Sequence, residues 1–307
     1  MDDAYGGRLM LLDTASLYFR AYYGIPDSIT APDGTPVNAV RGLLDFIAHL
    51  ITVRSPDRLV ACLDADWRPS FRVALLPSYK EHRLANPGTG AENVPAALEA
   101  QVPVIIDVLT ALGLAYVGVP GFEADDVIGT LATRDPGPVD IVTGDRDLFQ
   151  LADDSHGVRI LYTARGVGRH EVIDEAAVTS KYGIPGRAYA DFAILRGDPS
   201  DGLPGVKGVG GKTAATLISR FGSIEGVLDA LADPAAEMSP TIRHQLTAAV
   251  DYLKVAPDVV RVRTDVPLPE IDDALPREPH DPEALVALAE RWDLDNPLNR
   301  VLSALAR

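Results

Sequence analysis

The first half of the chain alternates short apolar runs with segments in which apolar residues recur every three or four positions. The apolar runs have the length of buried strands, and the segments between them have the spacing of helices. Strands are predicted at Arg8–Leu12, Arg58–Leu63, Leu114–Val119 and Val139–Thr143, and helices at Asn38–Val53, Val94–Leu112 and Glu123–Arg134. Two further runs, Val158–Tyr162 and His170–Ile173, predict an antiparallel pair at one edge. This alternation favours an α/β fold with a mainly parallel central sheet.

The helix predicted from Asn38 has one apolar side. Asn38 is expected to cap it, because an asparagine side chain accepts hydrogen bonds from the free N–H groups of a first turn. The apolar side consists of Val40, Leu43, Leu44, Ile47 and Leu50.

After about residue 175 the strand patterns end and only helical patterns follow. Helices are predicted at Glu175–Tyr182, Arg187–Leu195, Thr213–Phe221, Ile224–Ala232 and Ile242–Val255. We therefore divide the chain into an α/β domain, residues 1–174, and a helical region, residues 175–307. Within the first domain, Leu84–Val94 is rich in turn-forming residues and is predicted to be a flexible loop.

Acidic residues are concentrated where the predicted strands end. Asp13 and Asp64 each follow an apolar run directly, and Asp145 and Asp147 follow the strand that ends at Thr143. Ligands of parallel α/β sheets bind outside the carboxyl ends of the strands, so these side chains are expected to meet. Two more acidic groups lie beside predicted helices: Glu123, Asp125 and Asp126, and then Asp198 and Asp201. Nine carboxylates at one edge would repel one another, and divalent cations, which prefer oxygen ligands, would relieve this repulsion.

Each acidic cluster also has an ordinary explanation when it is considered alone, since aspartate commonly caps helices and forms turns. The combination of five clusters, three of them at strand ends, favours a metal site. Two cations roughly 4 Å apart would bind the attacking water and the leaving oxygen of a phosphodiester, so this chemistry favours a metal-dependent phosphodiesterase. The single cysteine, Cys62, is better explained as a core residue than as a metal ligand.

The charge of the chain first argues against a nucleic-acid partner. The 307 residues include 28 Lys and Arg against 44 Asp and Glu, a formal net charge of −16. Nine of the acids are those just named, and another nine lie between Val266 and Pro297 with only two bases, Arg277 and Arg291. Elsewhere acids and bases are equal in number, so the charge does not exclude a polyanionic partner. The acidic C-terminal segment is expected to face away from such a partner.

The sequence indicates a cytoplasmic protein. No stretch approaches the roughly 20 apolar residues that a membrane span needs. The acidic start of the chain and the short apolar run after it are unlike a secretory signal.

The glycine-rich stretch Gly205–Ala214 is similar at first to a phosphate-binding loop. The Walker pattern requires a glycine where the chain has Val206, so that interpretation fails. A hairpin between two helices fits better. The second helix would begin near Lys212, and the free N–H groups of its first turn could bind a DNA phosphate. Residues 202–222 contain Lys207, Lys212 and Arg220 and no acid. A helix-turn role without DNA is the alternative.

A second basic stretch, residues 68–83, follows the strand that leads to Asp64. It contains Arg68, Arg72, Lys80 and Arg83 and a single acid. Its position predicts a lid or clamp over the acidic edge, with Tyr79 offering a ring on which a base can stack. A solvated basic helix is the alternative.

The order of these motifs is similar to that of a known family. The motifs are Asp13, LDAD with Asp64, FR followed by YKEHR, GFEADDVIGTLA, TGDRDLFQL and GDPSDGLPGVKGVGGKTAATLI. The chain resembles the 5′-nuclease, or flap endonuclease, family, and most of all the 5′-nuclease domain of bacterial DNA polymerase I, here without a polymerase attached. The resemblance extends from about Arg8 to Leu231.

The resemblance implies a fold and an activity. The fold is a PIN-like domain over residues 1–174, with a helical arch at about residues 68–95, followed by a helix-three-turn-helix DNA-binding region over residues 175–307 with its hairpin at residues 202–222. The activity is hydrolysis of flapped, nicked or 5′-ended duplex DNA, RNA primers included, with two or more Mg²⁺ or Mn²⁺ ions. It leaves 5′-phosphate and 3′-hydroxyl ends.

The resemblance also implies a role for each acidic residue. The first metal is assigned to Asp13, Asp64, Glu123 and Asp125, and the second to Asp145, Asp147, Asp198 and Asp201, with Asp126 contributing through water. Asp125 and Asp147 are expected to be indispensable for turnover.

The implied DNA contacts lie in the arch and the hairpin. Lys80 and Arg83 match the cations that grip the scissile phosphate, Tyr79 matches the stacking aromatic, and Arg72 matches the FR position at the base of the arch. The hairpin residues that match those binding the uncut strand, often with a K⁺ ion, are Gly208, Gly210, Lys212 and Thr213, beside Lys207.

The expected partner is DNA or an RNA–DNA hybrid, bound by a monomer that acts alongside a DNA polymerase and a ligase. One departure from the family pattern is Gly202, which stands where the family usually has Asn and is expected to loosen the turn that carries Asp201. The alternatives are an RNA-directed PIN-type nuclease and a DNA-binding module with a silent metal site. The hairpin argues against the first, and the complete acid set argues against the second.

Overall fold

Six strands form one sheet in the computed structural model, which describes residues 7–86, 88 and 90–307. The strands are β1 Leu9–Asp13, β2 Arg58–Cys62, β3 Ala115–Val117, β4 Val139–Thr143, β5 Val158–Tyr162 and β6 Glu171–Ile173. Their order is β3-β2-β1-β4-β5-β6, and every neighbouring pair is parallel except β5 and β6, which are antiparallel. The predicted mainly parallel sheet with an antiparallel edge is confirmed.

Helices flank the strands in the first half of the chain. They are α1 Thr14–Gly24, α2 Asn38–Arg54, α3 Ser70–Leu75, α4 Ala96–Glu99, α5 Val102–Leu112 and α6 Ala124–Arg134. The apolar side predicted for α2 is buried, with Val40, Leu43, Leu44, Ile47 and Leu50 each at most 2% exposed.

The prediction that Asn38 caps α2 is wrong. Val37 occupies the cap position, and the Asn38 side-chain amide donates to the carbonyls of Tyr22 at 2.8 Å and Ile25 at 3.0 Å. The asparagine therefore joins the start of α2 to the end of α1.

The helix predicted over Val94–Leu112 is interrupted between α4 and α5. Pro103 occupies an early position of α5, where the lack of an N–H costs no helical hydrogen bond. Gln101 is 1% exposed, and its Oε1 accepts from the backbone N of Ala39 at 2.8 Å. The break thus allows Gln101 to satisfy a free N–H group in the first turn of α2.

Helices make up the second half of the described chain. They are α7 Glu175–Tyr182, α8 Tyr189–Arg196, α9 Gly211–Phe221, α10 Ile224–Ala232, α11 Pro240–Ala248, α12 Val250–Val260, α13 Pro282–Trp292 and α14 Asp295–Leu305. The single helix predicted over Ile242–Val255 is two helices, because Ala249 leaves the helical conformation between α11 and α12.

Side chains of β1 alternate between two hydrophobic cores, one on each face of the sheet. Leu9 and Leu11 join a core that includes residues of α6, α8, α9 and α12. Met10 and Leu12 join the core of α2 and α5, which α13 and α14 complete. In that second core α14 packs on α2 and α13 on α5. The last two helices therefore return to the first domain, although they follow the boundary at residue 174, which stays a prediction.

The carboxyl ends of β1, β2 and β4 lie side by side. Asp13 is in register with Cys62 and Leu12 with Val142, so the residues that follow these strands reach one edge. Cys62 is fully buried, as expected for a core residue. No helix in the part of the chain that the structure describes is long and apolar enough to span a bilayer.

Candidate active site

A cavity of about 480 Å³ opens at this edge of the sheet. Six of the nine acids predicted to bind metal line it: Asp13, Asp64, Glu123, Asp125, Asp145 and Asp198. Asp147 and Asp201 line a smaller neighbouring cavity, which Glu123 and Asp125 also face. The sheet edge therefore brings together acids from the ends of three strands, the start of α6 and the turn after α8.

Asp13 ends β1 and caps α1. Its carboxylate accepts from the backbone N of Ser16 at 3.1 Å and from Thr143 Oγ1 at 2.6 Å. Burial raises the pKa of Asp13 to about 7, and the neighbouring negative charge of Asp64 acts in the same direction. The hydrogen bonds thus hold the orientation of a carboxylate whose charge is poorly compensated.

Asp64, two residues beyond the buried end of β2, reaches the start of α6. Its Oδ1 accepts from the backbone N of Ala124 at 2.8 Å. A carboxylate at this helix end is stabilised by the positive pole of the helix dipole. The same turn presents Asp125, whose pKa burial raises well above its usual range, with Asp13 and Asp145 adding repulsion.

Asp145 and Asp147 are held in one short turn after β4. The backbone N of Asp147 donates to Asp145 Oδ1 at 2.8 Å, and the backbone N of Asp145 donates to Thr143 Oγ1 at 2.8 Å. Burial raises the pKa of both carboxyls, and the charge of Asp201 acts in the same direction on each. The turn thus places two carboxylates close to a third from the helical region.

The carboxylate oxygens of these acids suit hard divalent cations, although the side chains are not arranged around a metal-binding position. Among residues 7–86, 88 and 90–307, no three His, Cys, Asp or Glu side chains are arranged to hold a metal ion as they stand. The chemistry nevertheless suits Mg²⁺ or Mn²⁺, because the acids are carboxylates whose pKa values are raised by burial and, to a smaller extent, by repulsion from neighbouring acids. A divalent ion among them would compensate that repulsion.

Glu123 is engaged by protein groups instead of facing the other acids freely. Its carboxylate pairs with Arg72 and with Lys80, and it accepts from the Tyr79 hydroxyl at 2.8 Å. Three donors on two oxygens leave little room for a metal.

Asp126 was predicted to contribute to the metal site through water, and the structure contradicts this. The residue is 0% exposed, and Arg72 donates to both of its oxygens at 2.8 and 2.6 Å. The backbone N groups of Arg263 and Glu123 donate to it as well, at 2.9 and 3.3 Å. These donors saturate the carboxylate, which is therefore structural.

Arg72 was predicted to contact DNA, and this is also wrong. The residue is 2% exposed, and beyond its pairs with Glu123 and Asp126 its Nε donates to the carbonyl of Val259 at 2.8 Å. Arg72 thus joins α3, α6 and α12 inside the protein. Sequence reasoning placed it with exposed cations because the basic stretch gave no sign of burial.

The prediction that Tyr79 stacks on a base is wrong for the conformation seen here. The ring is 5% exposed, and its centroid lies 5.2 Å from Lys80 Nζ and 5.9 Å from the guanidinium carbon of Arg72. The Tyr79 hydroxyl donates to Glu123, so Tyr79 helps to hold the orientation of that carboxylate.

Lys80 and Arg83 each pair with an acid of the sheet edge, and their role as arch cations that grip the scissile phosphate stays a prediction. Lys80 has a left-handed backbone conformation with φ +49°, its backbone N donates to the carbonyl of Asp201 at 3.0 Å, and its ammonium pairs with Glu123. Arg83 donates to Asp201 Oδ1 at 2.9 Å. Arg83 thus contacts an acid that is proposed to bind metal, Lys80 contacts Glu123, and both cations line the cavity.

The turn that carries Asp198 and Asp201 is not loosened by Gly202. The glycine has φ +71°, and a Cβ there would lie 2.0 Å from the carbonyl oxygen of Ser78. Ser78 Oγ in turn donates to the Gly202 carbonyl at 2.9 Å. The segment that carries Ser78 therefore approaches Gly202 too closely for a side chain in this arrangement.

The predicted hairpin residues are exposed on a separate surface. Lys207, Gly208, Gly210 and Lys212 are exposed, while Val209 between them is buried. Gly208 has φ +85°, and α9 begins with no side-chain cap and no acid in its first turn. The N–H groups of that turn are available for an anion. The roles of these residues and of Thr213 in binding DNA stay predictions.

Sequence reasoning missed several residues that line the cavity: Tyr18, Phe19, Trp67, Glu92 and Arg146. Arg146 could have been found, because it lies between Asp145 and Asp147. Glu92 could not, because it belongs to the segment expected to be a flexible loop.

Two family models match the chain. The model described as 5′-3′ exonuclease, N-terminal resolvase-like domain, matches residues 8–183, and the one described as 5′-3′ exonuclease, C-terminal SAM fold, matches residues 184–283. A 5′-3′ exonuclease of Streptomyces coelicolor is 62% identical over 96% of this chain and 99% of its own length. DNA polymerase I of Mycobacterium tuberculosis is 37% identical over 97% of this chain, which spans 32% of that polymerase. The predicted family and fold class are confirmed.

Solved structures share the fold at low identity. The bacteriophage T5 D15 flap endonuclease, in a complex with DNA and metal ions, has a TM-score of 0.63 at 18% identity, covering 98% of this chain and 100% of its own. Human GEN1 in complex with Holliday junction DNA has a TM-score of 0.60 at 16% identity, covering 98% of this chain and 72% of its own.

Proposed function

The chain belongs to the 5′-3′ exonuclease family, and from that premise we propose that it is a structure-specific 5′-3′ exonuclease and flap endonuclease. Its substrates are 5′ flaps, nicks and 5′ ends of duplex DNA, and RNA primers, in replication and repair. The observation that carries the proposal is the cavity in which buried acids from several elements meet two cations of one overlying segment.

Two or more Mg²⁺ or Mn²⁺ ions would be held at the sheet edge. Asp13, Asp64 and Asp125 form one set of ligands, and Asp145, Asp147, Asp198 and Asp201 form the other. When bound, the ions lower the pKa of the attacking water and stabilise the leaving 3′-oxygen. Glu123 is better suited to orienting Lys80 than to binding metal, since Arg72 and Tyr79 also occupy it.

Lys80 and Arg83 are proposed to bind the scissile phosphate. In the free protein each is paired with a site acid, Glu123 or Asp201. A phosphate entering the cavity offers both cations a new anionic partner. When Lys80 and Arg83 bind the phosphate, their ion pairs with Glu123 and Asp201 would break, and those two carboxylates would be free.

The hairpin is proposed to bind the uncut strand of the duplex through the N–H groups at the start of α9, with Lys207 and Lys212 beside it. From the family resemblance we expect a K⁺ ion there. We further expect a cytoplasmic monomer that acts beside a DNA polymerase. Its products, a 5′-phosphate and a 3′-hydroxyl, are the ends that a ligase joins.

One assay tests the function. Purified protein with Mn²⁺ is given a 5′-flap duplex, a nicked duplex and single-stranded RNA of the same sequence. We expect cleavage of both duplexes at or near the 5′ junction, leaving 5′-phosphates. Cleavage confined to the RNA, or binding of DNA without cleavage, would contradict the proposal.

A further inference from the structure

Glu92 brings an additional negative charge to the cavity from the segment that lies over it. The segment returns on itself at this point, because Leu84 and Glu92 form an antiparallel bridge. The backbone N of Asn93 donates to the carbonyl of Arg83 at 2.8 Å. These bonds hold Glu92 opposite Leu84, next to the residues that carry Arg83, and Glu92 lines the cavity from there.

The carboxylate of Glu92 faces both signs of charge. The residue lines the same cavity as Asp64, Lys80 and Arg83. Partial burial raises the pKa of Glu92, the positive charges of Arg83 and Lys80 act to lower it, and the negative charge of Asp64 acts to raise it. Glu92 therefore lies between the phosphate-binding cations and one of the proposed metal ligands.

Among the residues that the structure describes, none forms an ion pair with Glu92. The pairs formed by the two overlying cations within the described chain are Lys80 with Glu123 and Arg83 with Asp201. A phosphate that enters the cavity towards Lys80 or Arg83 therefore also meets the charge of Glu92, which lines the same cavity. Repulsion between two such charges at a partly screened surface is modest but measurable.

On the basis of the proposed function, we propose that Glu92 is a specificity-determining residue that disfavours 5′ flaps relative to flush 5′ ends at nicks. A flap adds phosphates beyond the junction, and on this proposal they pass through the part of the cavity that Glu92 lines. A nick has no such phosphates, so its terminal nucleotide meets less of this repulsion. The residue thus sets the balance between endonuclease and exonuclease action.

The test compares Glu92→Gln, which keeps the shape and removes the charge, with the wild type. With Mn²⁺, kcat/KM is measured on a 5′-flap duplex and on a nicked duplex of the same sequence. We expect about a fivefold gain on the flap, mainly through KM, and less than about a twofold change on the nick. Glu81→Gln is the matched control, since Glu81 is exposed in the same segment and does not line the cavity.

A second part of the test uses a flap whose phosphates are replaced by neutral methylphosphonate linkages. They remove the charge that Glu92 repels, so the wild type and Glu92→Gln should cleave this substrate equally well. Equal gains on flap and nick, no gain on either, or a gain that persists on the neutral flap would overturn the proposal. A loss of Mn²⁺ binding in a calorimetric titration of Glu92→Gln would also overturn it, because Glu92 would then be a metal ligand.

Binding measured by fluorescence anisotropy in Ca²⁺ separates this proposal from the proposed function. If the wild type cleaves no DNA, the function fails, while tighter flap binding by Glu92→Gln still supports the role of Glu92. If the wild type cleaves and flap binding is unchanged in the variant, the role of Glu92 fails and the function stands.

Discussion

Arg72 donates two hydrogen bonds to Asp126, at 2.8 and 2.6 Å, with both side chains at most 2% exposed. Removing one partner of a buried ion pair leaves the other charge without compensation. We expect Arg72→Ala to lower the free energy of unfolding by about 3–5 kcal/mol, measured by urea denaturation. Arg220→Ala, at an exposed pair with Glu237, is the control and should cost less than about 1 kcal/mol. A similar, small cost for both variants would show that the buried pair is not structural.

Asp125 and Asp147 are expected to be needed for turnover and not for folding. Their raised pKa values indicate that burial and neighbouring acids destabilise the ionised carboxylates. Asp125→Asn and Asp147→Asn should therefore lower the cleavage rate by about a thousandfold or more, while metal-free stability is unchanged or increased. The measurements are single-turnover cleavage, DNA binding in Ca²⁺ and thermal unfolding in EDTA. Asp154→Asn, in an exposed turn, is the control, and residual activity of Asp147→Asn near the wild-type rate would refute the assignment.

Asp13 should destabilise the metal-free protein progressively as the pH rises towards neutral. Burial raises the pKa of Asp13 from 3.8 to about 7, so between these values the folded state retains a proton that the unfolded chain has lost. The free energy of unfolding contributed by this group therefore falls as pH rises through that window and is constant above it. Urea denaturation in EDTA at several pH values measures the slope. Asp13→Asn should reduce it, and identical slopes for the variant and the wild type would contradict this prediction.

Gly202 should not tolerate the asparagine that the family usually has at this position. A Cβ would lie 2.0 Å from the carbonyl oxygen of Ser78, so Gly202→Asn must displace the segment that carries Lys80. We expect a loss of about 2 kcal/mol in the free energy of unfolding together with slower cleavage. Gly168→Ala is the control, because a Cβ at Gly168 meets nothing within 4 Å. Wild-type stability of Gly202→Asn would show that the close approach of Ser78 does not constrain this turn.

Lys80→Ala should slow cleavage without removing the metals. Lys80 pairs with Glu123 and lines the cavity of the acids proposed to bind metal. Its ammonium group does not itself coordinate a metal. Calorimetric titration with Mn²⁺ should give the wild-type number of bound ions, while single-turnover cleavage of a flap duplex becomes at least about tenfold slower. An unchanged rate would show that Lys80 does not act on the scissile phosphate.

The sequence was sufficient to predict the sheet and the edge at which the acids meet. Apolar runs set the strands, and parallel strands bring their carboxyl ends together, so the positions of Asp13, Asp64 and Asp145 followed from local pattern. The roles of Arg72 and Tyr79 did not, because burial of a polar side chain depends on which distant groups pair with it. Arg72 is buried by contacts with Asp126 and with α12, far along the chain.

The same limit explains Asp126 and Glu92. Asp126 is adjacent to Asp125 in sequence, but successive residues of a helix point in different directions, and Asp126 turns towards Arg72 in the core. Glu92 reaches the cavity only because the segment around it folds back onto Leu84. Neither outcome could be inferred from the spacing of charges.

The acids at the sheet edge are proposed to bind the divalent ions with which this protein cleaves DNA. The most direct measurement is the rate of 5′-flap cleavage as Mn²⁺ is titrated into protein stripped of metal with EDTA. We predict no cleavage without metal, a rate that rises with Mn²⁺ to saturation, and no rescue of Asp147→Asn at any Mn²⁺ concentration. Equal cleavage in EDTA and in Mn²⁺, or no cleavage of DNA at saturating Mn²⁺, would contradict the claim.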